Sequence, residues 1–263
     1  MSYNYLKFAS EGPVGIIALN RPEKRNALSL ELLQELSALL TAIKSSEDVR
    51  VVIIKGEGKV FCAGHDISQL VDHEVTYYNA IFDTCVDVME EIQRLPQPVI
   101  AQVHGVATAA GCQLVAACDL AVAEEGTLFG TPGVKIGLFC TTPAVPLVRA
   151  IGRKRALDML FTGRMISAHE AEQYGLINKV VSVDQLATET MALAEAIAQS
   201  SPLTLSIGKK AFYTQVNLAD TEAYDHAKEV IVNNLLAEDA KEGLSAFLEK
   251  RKPEWKGPEW KGR

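Results

Sequence analysis

Apolar positions along the chain fall into two rhythms. Short runs closed by glycine, proline or charge stand at "VGIIALN" (Val14 to Asn20, ended by Arg21-Pro22), "VRVVIIKG" (Val49 to Gly56), "PVIAQVHG" (Pro98 to Gly105) and "DLAVAEE" (Asp119 to Glu125). Each has the length of a buried strand. Between the first two, leucines at 32, 33, 36, 39 and 40 recur at helical spacing behind a Ser29 N-cap, with Glu31 in the first turn. A long helical region is predicted over Ile67 to Leu95. Strands separated by helices predict parallel βα units and an α/β fold class.

The last third changes character. "ISAHEAEQYGL" carries a capping box, Ser167 with Glu170, and a helix end at Gly175. From Val183 almost everything up to Lys250 reads as helix. Residues 1–195 are therefore taken as the core carrying the site, and 196–263 as a helical C-terminal region of the same structural domain. Such a region must bury its apolar stripes on its own core or on a neighbouring subunit.

Composition narrows the function classes. With 263 residues, 48% of them hydrophobic, the chain suits one sizeable core. A net charge of −7 argues against a general nucleic-acid binder, the basic end "EKRKPEWKGPEWKGR" being the exception. Five cysteines (Cys62, Cys85, Cys112, Cys118, Cys140) form no CxxC pair and read as reduced, mostly buried thiols. No apolar run reaches the ~18 residues of a membrane span, and the first residues lack a signal-peptide pattern; a soluble cytoplasmic protein is expected. The histidines lack ligand spacing, so no metal is expected.

Chemistry is expected where strands give way to helices. Two loops stand there: "VFCAGHDI" (Val60 to Ile67) and "HGVATAAGCQL" (His104 to Leu114). Small side chains would let a ligand approach the backbone, and two amides facing one point would form an oxyanion hole. The alternative is that the small residues merely let a helix pack tightly.

In this order and spacing, "RPEKRNAL", "FCAGHDI", "HGVATAAGCQLVAACD", "FGTPGVKIGL", "FTGRMISAHEAEQYGLINKVV" and "EGLSAFLEKRKPEW" resemble the enoyl-CoA hydratase/isomerase (crotonase) superfamily, from about Tyr5 to Lys256. The resemblance implies a crotonase (ClpP-like) fold, in which a ββα spiral core is followed by a helical C-terminal trimerisation region. It implies an acyl-CoA substrate of fatty acid metabolism type, with coenzyme A arriving as part of the substrate and no permanently bound cofactor, and a homotrimer or dimer of trimers. By position it assigns the oxyanion-hole amides to Ala63 and Ala110. It assigns coenzyme A contacts to Lys24, Arg25, Ala27, Leu28, His65, Asp66, Ile67, Phe247 and Lys250.

Hydratases of this superfamily carry two glutamates that hold and ionise one water. Here the corresponding positions are Gln113 and Gly133, neither of which transfers a proton, and each such group contributes about 10²–10⁴ in rate. Substitutes are Cys140, near the place of a nucleophilic aspartate in the dehalogenase branch, with Thr141 and Thr142 beside it. His65 and the group Asp72, His73, Glu74, Tyr77 and Tyr78 are further candidates; His104 and Asp119 read as structural. Three readings stay open. One is an oxyanion-stabilising isomerase, hydrolase or lyase with unusual proton carriers; one is a non-catalytic coenzyme A-thioester-binding protein; the third is weak residual hydration with Gln113 orienting water.

Overall fold

A computed structural model describes residues 3–256; residues 257–263, the end of the basic C-terminal segment, lie outside it. The strands are β1 Leu6–Glu11, β2 Val14–Leu19, β3 Val51–Gly56, β4 Val99–Val103, β5 Val106–Thr108, β6 Leu120–Glu124, β7 Leu128–Gly130, β8 Met165–Ser167 and β9 Lys179–Val181. The helices are α1 Leu30–Lys44, α2 Val75–Arg94, α3 Ala110–Ala117, α4 Thr141–Ile151, α5 Arg153–Thr162, α6 Ala168–Tyr174, α7 Leu186–Ala198, α8 Pro202–Gln215, α9 Asp220–Leu235 and α10 Glu238–Glu249. One sheet runs β1-β2-β3-β4-β6-β9, and a second runs β5-β7-β8. In the first, only the β1–β2 hairpin is antiparallel.

The unbroken apolar run of β3 reflects burial on both faces. Val52 and Ile54 enter the main core with the α1 leucines and with Ile81, Val88 and Ile92 of α2, whereas Val51 and Ile53 face a smaller core with Leu186, Ala194 and Ala198 of α7. The Ser29 cap on Leu32 and the Ser167–Glu170 capping box both form. The predicted 67–95 helix is interrupted. Ile67–Leu70 is a short 3-10 turn, an exposed bend with Asp72 at φ 57° follows, and α2 then begins at Val75.

A buried ion pair ties the helical region to the sheet. Lys209 of α8 donates to Asp119 Oδ2 at 2.6 Å and to the carbonyls of Ile92 and Gln97 at 2.8 and 2.9 Å. Tyr213 donates to Asp119 Oδ1 at 2.8 Å, and the amide of Val99 to Oδ2 at 2.7 Å. Burial pulls the Lys209 ammonium below its ordinary pKa while Asp119 works against that pull. Removing the carboxylate would strand a buried cation, a loss of about 3–5 kcal/mol in comparable pairs. Asp119→Ala is expected to destabilise the fold by that order in chemical denaturation, and Lys44→Ala, at an exposed pair with Glu91, by less than about 1 kcal/mol.

Candidate active site

The two loops singled out in the sequence lie against each other, joined along their main chains. Cys62 N–H donates to Val106 O at 3.1 Å, Thr108 N–H to Cys62 O at 3.0 Å, and Thr108 Oγ1 to Ala63 O at 3.0 Å. Gly64, at φ +97°, sits so tightly on the other loop that a Cβ there would lie 3.0 Å from the Ala109 methyl and 3.5 Å from the Ala110 nitrogen. Ala109 N–H donates to Gly130 O at 2.8 Å, which anchors the start of α3 to the end of β7. Ala109 itself takes φ 49°, ψ −117°, a conformation suited to glycine. Such strain persists only where surrounding contacts over-determine it.

The amides decide what the cleft can hold. Ala63 N–H donates to Arg25 O at 3.1 Å, so its hydrogen is committed to a neighbouring loop and the assignment of Ala63 as an oxyanion donor is corrected. Two residues on, the amide of His65 makes no hydrogen bond among the described residues, because the Leu28–His65 bridge uses Gly64 O and the Asp66 amide instead. Ala110 opens α3, and its amide likewise has no acceptor among the described residues. The uncommitted pair is thus His65 and Ala110, each on one of two touching loops. A helix start adds positive potential at the second.

Gln113, one turn into α3, is 3% exposed, and its Oε1 has no partner. A Cβ on Gly133 would collide with the carbonyl of Leu138 and lie 2.8 Å from Cys140 Sγ, so that position accepts no side chain while the 138–140 segment stays where it is. Cys140 is half-buried at the N-cap of α4. Burial raises its thiol pKa, and a hydrogen bond with the Gly133 backbone only partly offsets this; the environment does not favour a thiolate. Cys62, Cys85, Cys112 and Cys118 are free and buried. Thr141 is exposed and Thr142 half-buried at the same helix start. Asp72, His73 and Glu74 form an exposed bend, where the His73 ring lies 4.3 Å from that of Tyr77 and its amide donates to the Tyr78 hydroxyl at 3.1 Å. His104 Nε2 donates to Gly58 O at 3.0 Å, a structural role.

The profile of the family described as enoyl-CoA hydratase/isomerase matches residues 9–258. The chain belongs to this family. Mouse enoyl-CoA hydratase domain-containing protein 3, mitochondrial, is 50% identical over 240 residues, covering 91% of this chain and 80% of the relative. The human counterpart is 49% identical over the same share of this chain and 79% of its own length. Among solved structures, an enoyl-CoA hydratase from Mycobacterium smegmatis superposes with TM-score 0.93 at 44% identity, covering 96% of this chain and 99% of that one. Human enoyl Coenzyme A hydratase domain-containing protein 3 superposes with TM-score 0.93 at 46% identity, covering 96% and 100%. The crotonase fold expected from the sequence is thereby established. The expectation of a cytoplasmic protein is contradicted: the mouse, frog and human relatives at 48–50% identity carry mitochondrial names.

Of the residues that the family resemblance assigns to coenzyme A, the structure joins two groups. Leu28 N–H donates to Gly64 O at 2.8 Å and Asp66 N–H to Leu28 O at 3.0 Å, which lays the Lys24–Leu28 loop alongside His65–Ile67. Arg21 braces both, donating to Ala27 O at 2.7 Å and to Asp66 at 3.0 Å. Ala27 and Leu28 are buried, whereas Lys24, Arg25 and Ile67 are exposed. Phe247 and Lys250 stand apart: Phe247 is 82% exposed on α10, and no hydrogen bond, ion pair or ring contact among the described residues links either to the Lys24 loop.

His65 draws attention beyond its amide. Its ring meets Phe82 edge-on at 5.0 Å, and its Nε2 is buried without a partner. Burial depresses its pKa from 6.5 to about 4. The unfolded chain therefore binds the proton more readily, and the contribution of neutral His65 to stability is lost as pH falls from about 6.5 towards 4. In His65→Gln, denaturation midpoints measured between those pH values are expected to fall less steeply than in the natural protein.

Proposed function

We propose that this chain binds an acyl-CoA thioester in the cleft between the Cys62–Ile67 loop and α3, with the thioester oxygen on the amides of His65 and Ala110. The observation that carries this reading is the pair of uncommitted amides on two loops in direct contact. Such donors stabilise an enolate-type oxyanion, and removing one costs about 10²–10³ in rate. The acyl chain would run inward past Gln113, and the nucleotide would lie along Lys24 to Leu28 and Asp66.

Efficient hydration of a simple enoyl-CoA is not part of the proposal. A glutamine at 113 has no useful pKa, and the packing of Gly133 against Leu138 leaves no room for a carboxylate. With each general acid or base contributing about 10²–10⁴, crotonyl-CoA hydration is expected to run at least about 10⁴-fold below that of a relative carrying both groups. Gln113→Glu alone should recover only part of the deficit. Rapid hydration by the natural protein would refute this, and failure to bind coenzyme A in calorimetry would refute the site. A coenzyme A-thioester-binding protein without turnover is the second reading, favoured by the same lack of a carboxylate at 113 and 133.

We also propose assembly as a trimer or a dimer of trimers. Tyr224, Ile231, Val232, Leu235 and Leu236 in and just after α9, with Leu244, Phe247 and Leu248 on α10, are exposed, and a cavity of about 920 Å³ lies between α8, α9 and α10. Apolar faces of this extent mark association surfaces. Light scattering is expected to give three or six times the 28.6 kDa of one chain.

A further inference from the structure

The two uncommitted amides differ in what stands behind them. Ala110 N–H opens α3, so the aligned peptides of a helix add positive potential to it. The His65 amide has no such helix. The Ile67–Leu70 turn begins two residues further on and is a short 3-10 turn. What stands behind His65 is a hydrogen-bonded chain that begins on a cation.

Arg21 Nη1 donates to Ala27 O at 2.7 Å. The peptide group that carries this oxygen also carries the Leu28 N–H, which donates to Gly64 O at 2.8 Å. The peptide group of Gly64 O in turn carries the His65 N–H. No peptide bond among the described residues is cis, and in a planar trans peptide the N–H points opposite to the C=O. The guanidinium and the two peptide groups therefore run head to tail, and the free hydrogen of His65 lies at the far end.

The cation is placed where its field persists. The Arg21 side chain is 12% exposed and the Asp66 carboxylate, 3.0 Å away, is 11% exposed; partly buried charges are screened far less than surface ones. Arg21 Nε is buried without a partner, so the side chain forgoes a hydrogen bond to sit there. Holding the loops together does not require a charge. Ala63 N–H to Arg25 O, Leu28 N–H to Gly64 O and Asp66 N–H to Leu28 O already join them, and Asn26 Nδ2 donates to Glu57 O and Val60 O at 2.8 and 2.9 Å. A buried ion pair is in any case weak evidence of stabilisation, because desolvation offsets much of the attraction.

We infer that Arg21 is a positioning residue that acts through its charge, polarising the Ala27–Leu28 and Gly64–His65 peptides in series so that His65 N–H becomes a stronger donor to the thioester oxygen; this rests on the acyl-CoA reading above. Hydrogen bonds in a chain strengthen one another by about 10–30% per bond, and an ionised donor at the head makes a bond roughly twice as strong as a neutral one. Asp66 works in the opposite sense, cancelling part of the guanidinium field. Each oxyanion donor thus has its own source of positive potential, a helix for Ala110 and a cation for His65.

The test is the infrared band of the thioester carbonyl in butyryl-CoA, isotope-labelled at that carbon and bound to the full-length protein at saturation, with affinity followed by calorimetry. Stronger donors move this band to lower frequency. Arg21→Gln removes the charge and is expected to lose about 10–30% of the displacement between free and bound ligand. Asp66→Asn leaves the guanidinium without its counter-charge and is expected to enlarge the displacement. A merely structural brace predicts otherwise, since loosened loops would shrink the displacement in both variants. Each variant decides by its own sign: an undiminished displacement in Arg21→Gln, or one that does not grow in Asp66→Asn, would overturn the inference. If butyryl-CoA does not bind the natural protein, or binds with its carbonyl band unmoved, the acyl-CoA reading falls and takes this inference with it. A displaced band that ignores both substitutions removes the inference alone.

Discussion

The site depends on a main-chain contact, the seam between Cys62–Gly64 and Val106–Ala110. Three hydrogen bonds close it, and residues no larger than alanine let the backbones touch at Gly64, Ala109 and Ala110. A larger side chain at these points would separate the loops and turn their free amides apart. The bareness of the segment is thus a condition for the geometry. It is also a condition for electrostatics, since donors act most strongly where water is kept out and no reorganisation is needed.

The seam is held at some cost. Ala109 adopts a glycine-like conformation, a strain of about 1–3 kcal/mol for a residue with a Cβ, and buried side-chain atoms of His65 and Gln113 beside it lack partners. Compensation comes from rigid neighbours. Burial of β3 on both faces fixes the root of the first loop, and the α1–α2 layer covers one of those faces. The Asp119 knot, at the residue before β6, ties α8 to β4. A cleft with unpaired groups is tolerable only on such a foundation.

How much of this was legible follows from the physics of each signal. Strands β2, β3, β4 and β6, the Ser29 cap and the Ser167 capping box were readable, since apolar runs and caps are local patterns. β1 was not: five of its six residues are exposed. β5, β7, β8 and β9 span three residues each, too few for any period. Ala63 failed as a donor because Gly64, at φ +97°, reverses the backbone between 63 and 65. A regular extended chain would send both amides the same way. The glycine was the available clue, while the competing acceptor, Arg25 O, lies 38 positions away in sequence and could not be read from it. Nor could the collision at Gly133, which depends on how 137–140 folds back.

A glutamine at 113 and a glycine at 133 limit what the groups of the proposed site can do. An ionised pair activates water, and around such a pair the acyl group can be a passive hydrocarbon. With an amide at 113 and a glycine at 133, the proposed task of holding a negative oxygen falls to the backbone amides of His65 and Ala110. Proton transfer then has to come from the substrate itself, from His65 or from nowhere. His65, held neutral by burial, accepts a proton poorly at pH 7 but makes hydrogen bonds as donor or acceptor. On the proposed reading such a site holds a thioester more readily than it ionises water, so acyl-CoA binding tests it more directly than hydration rate.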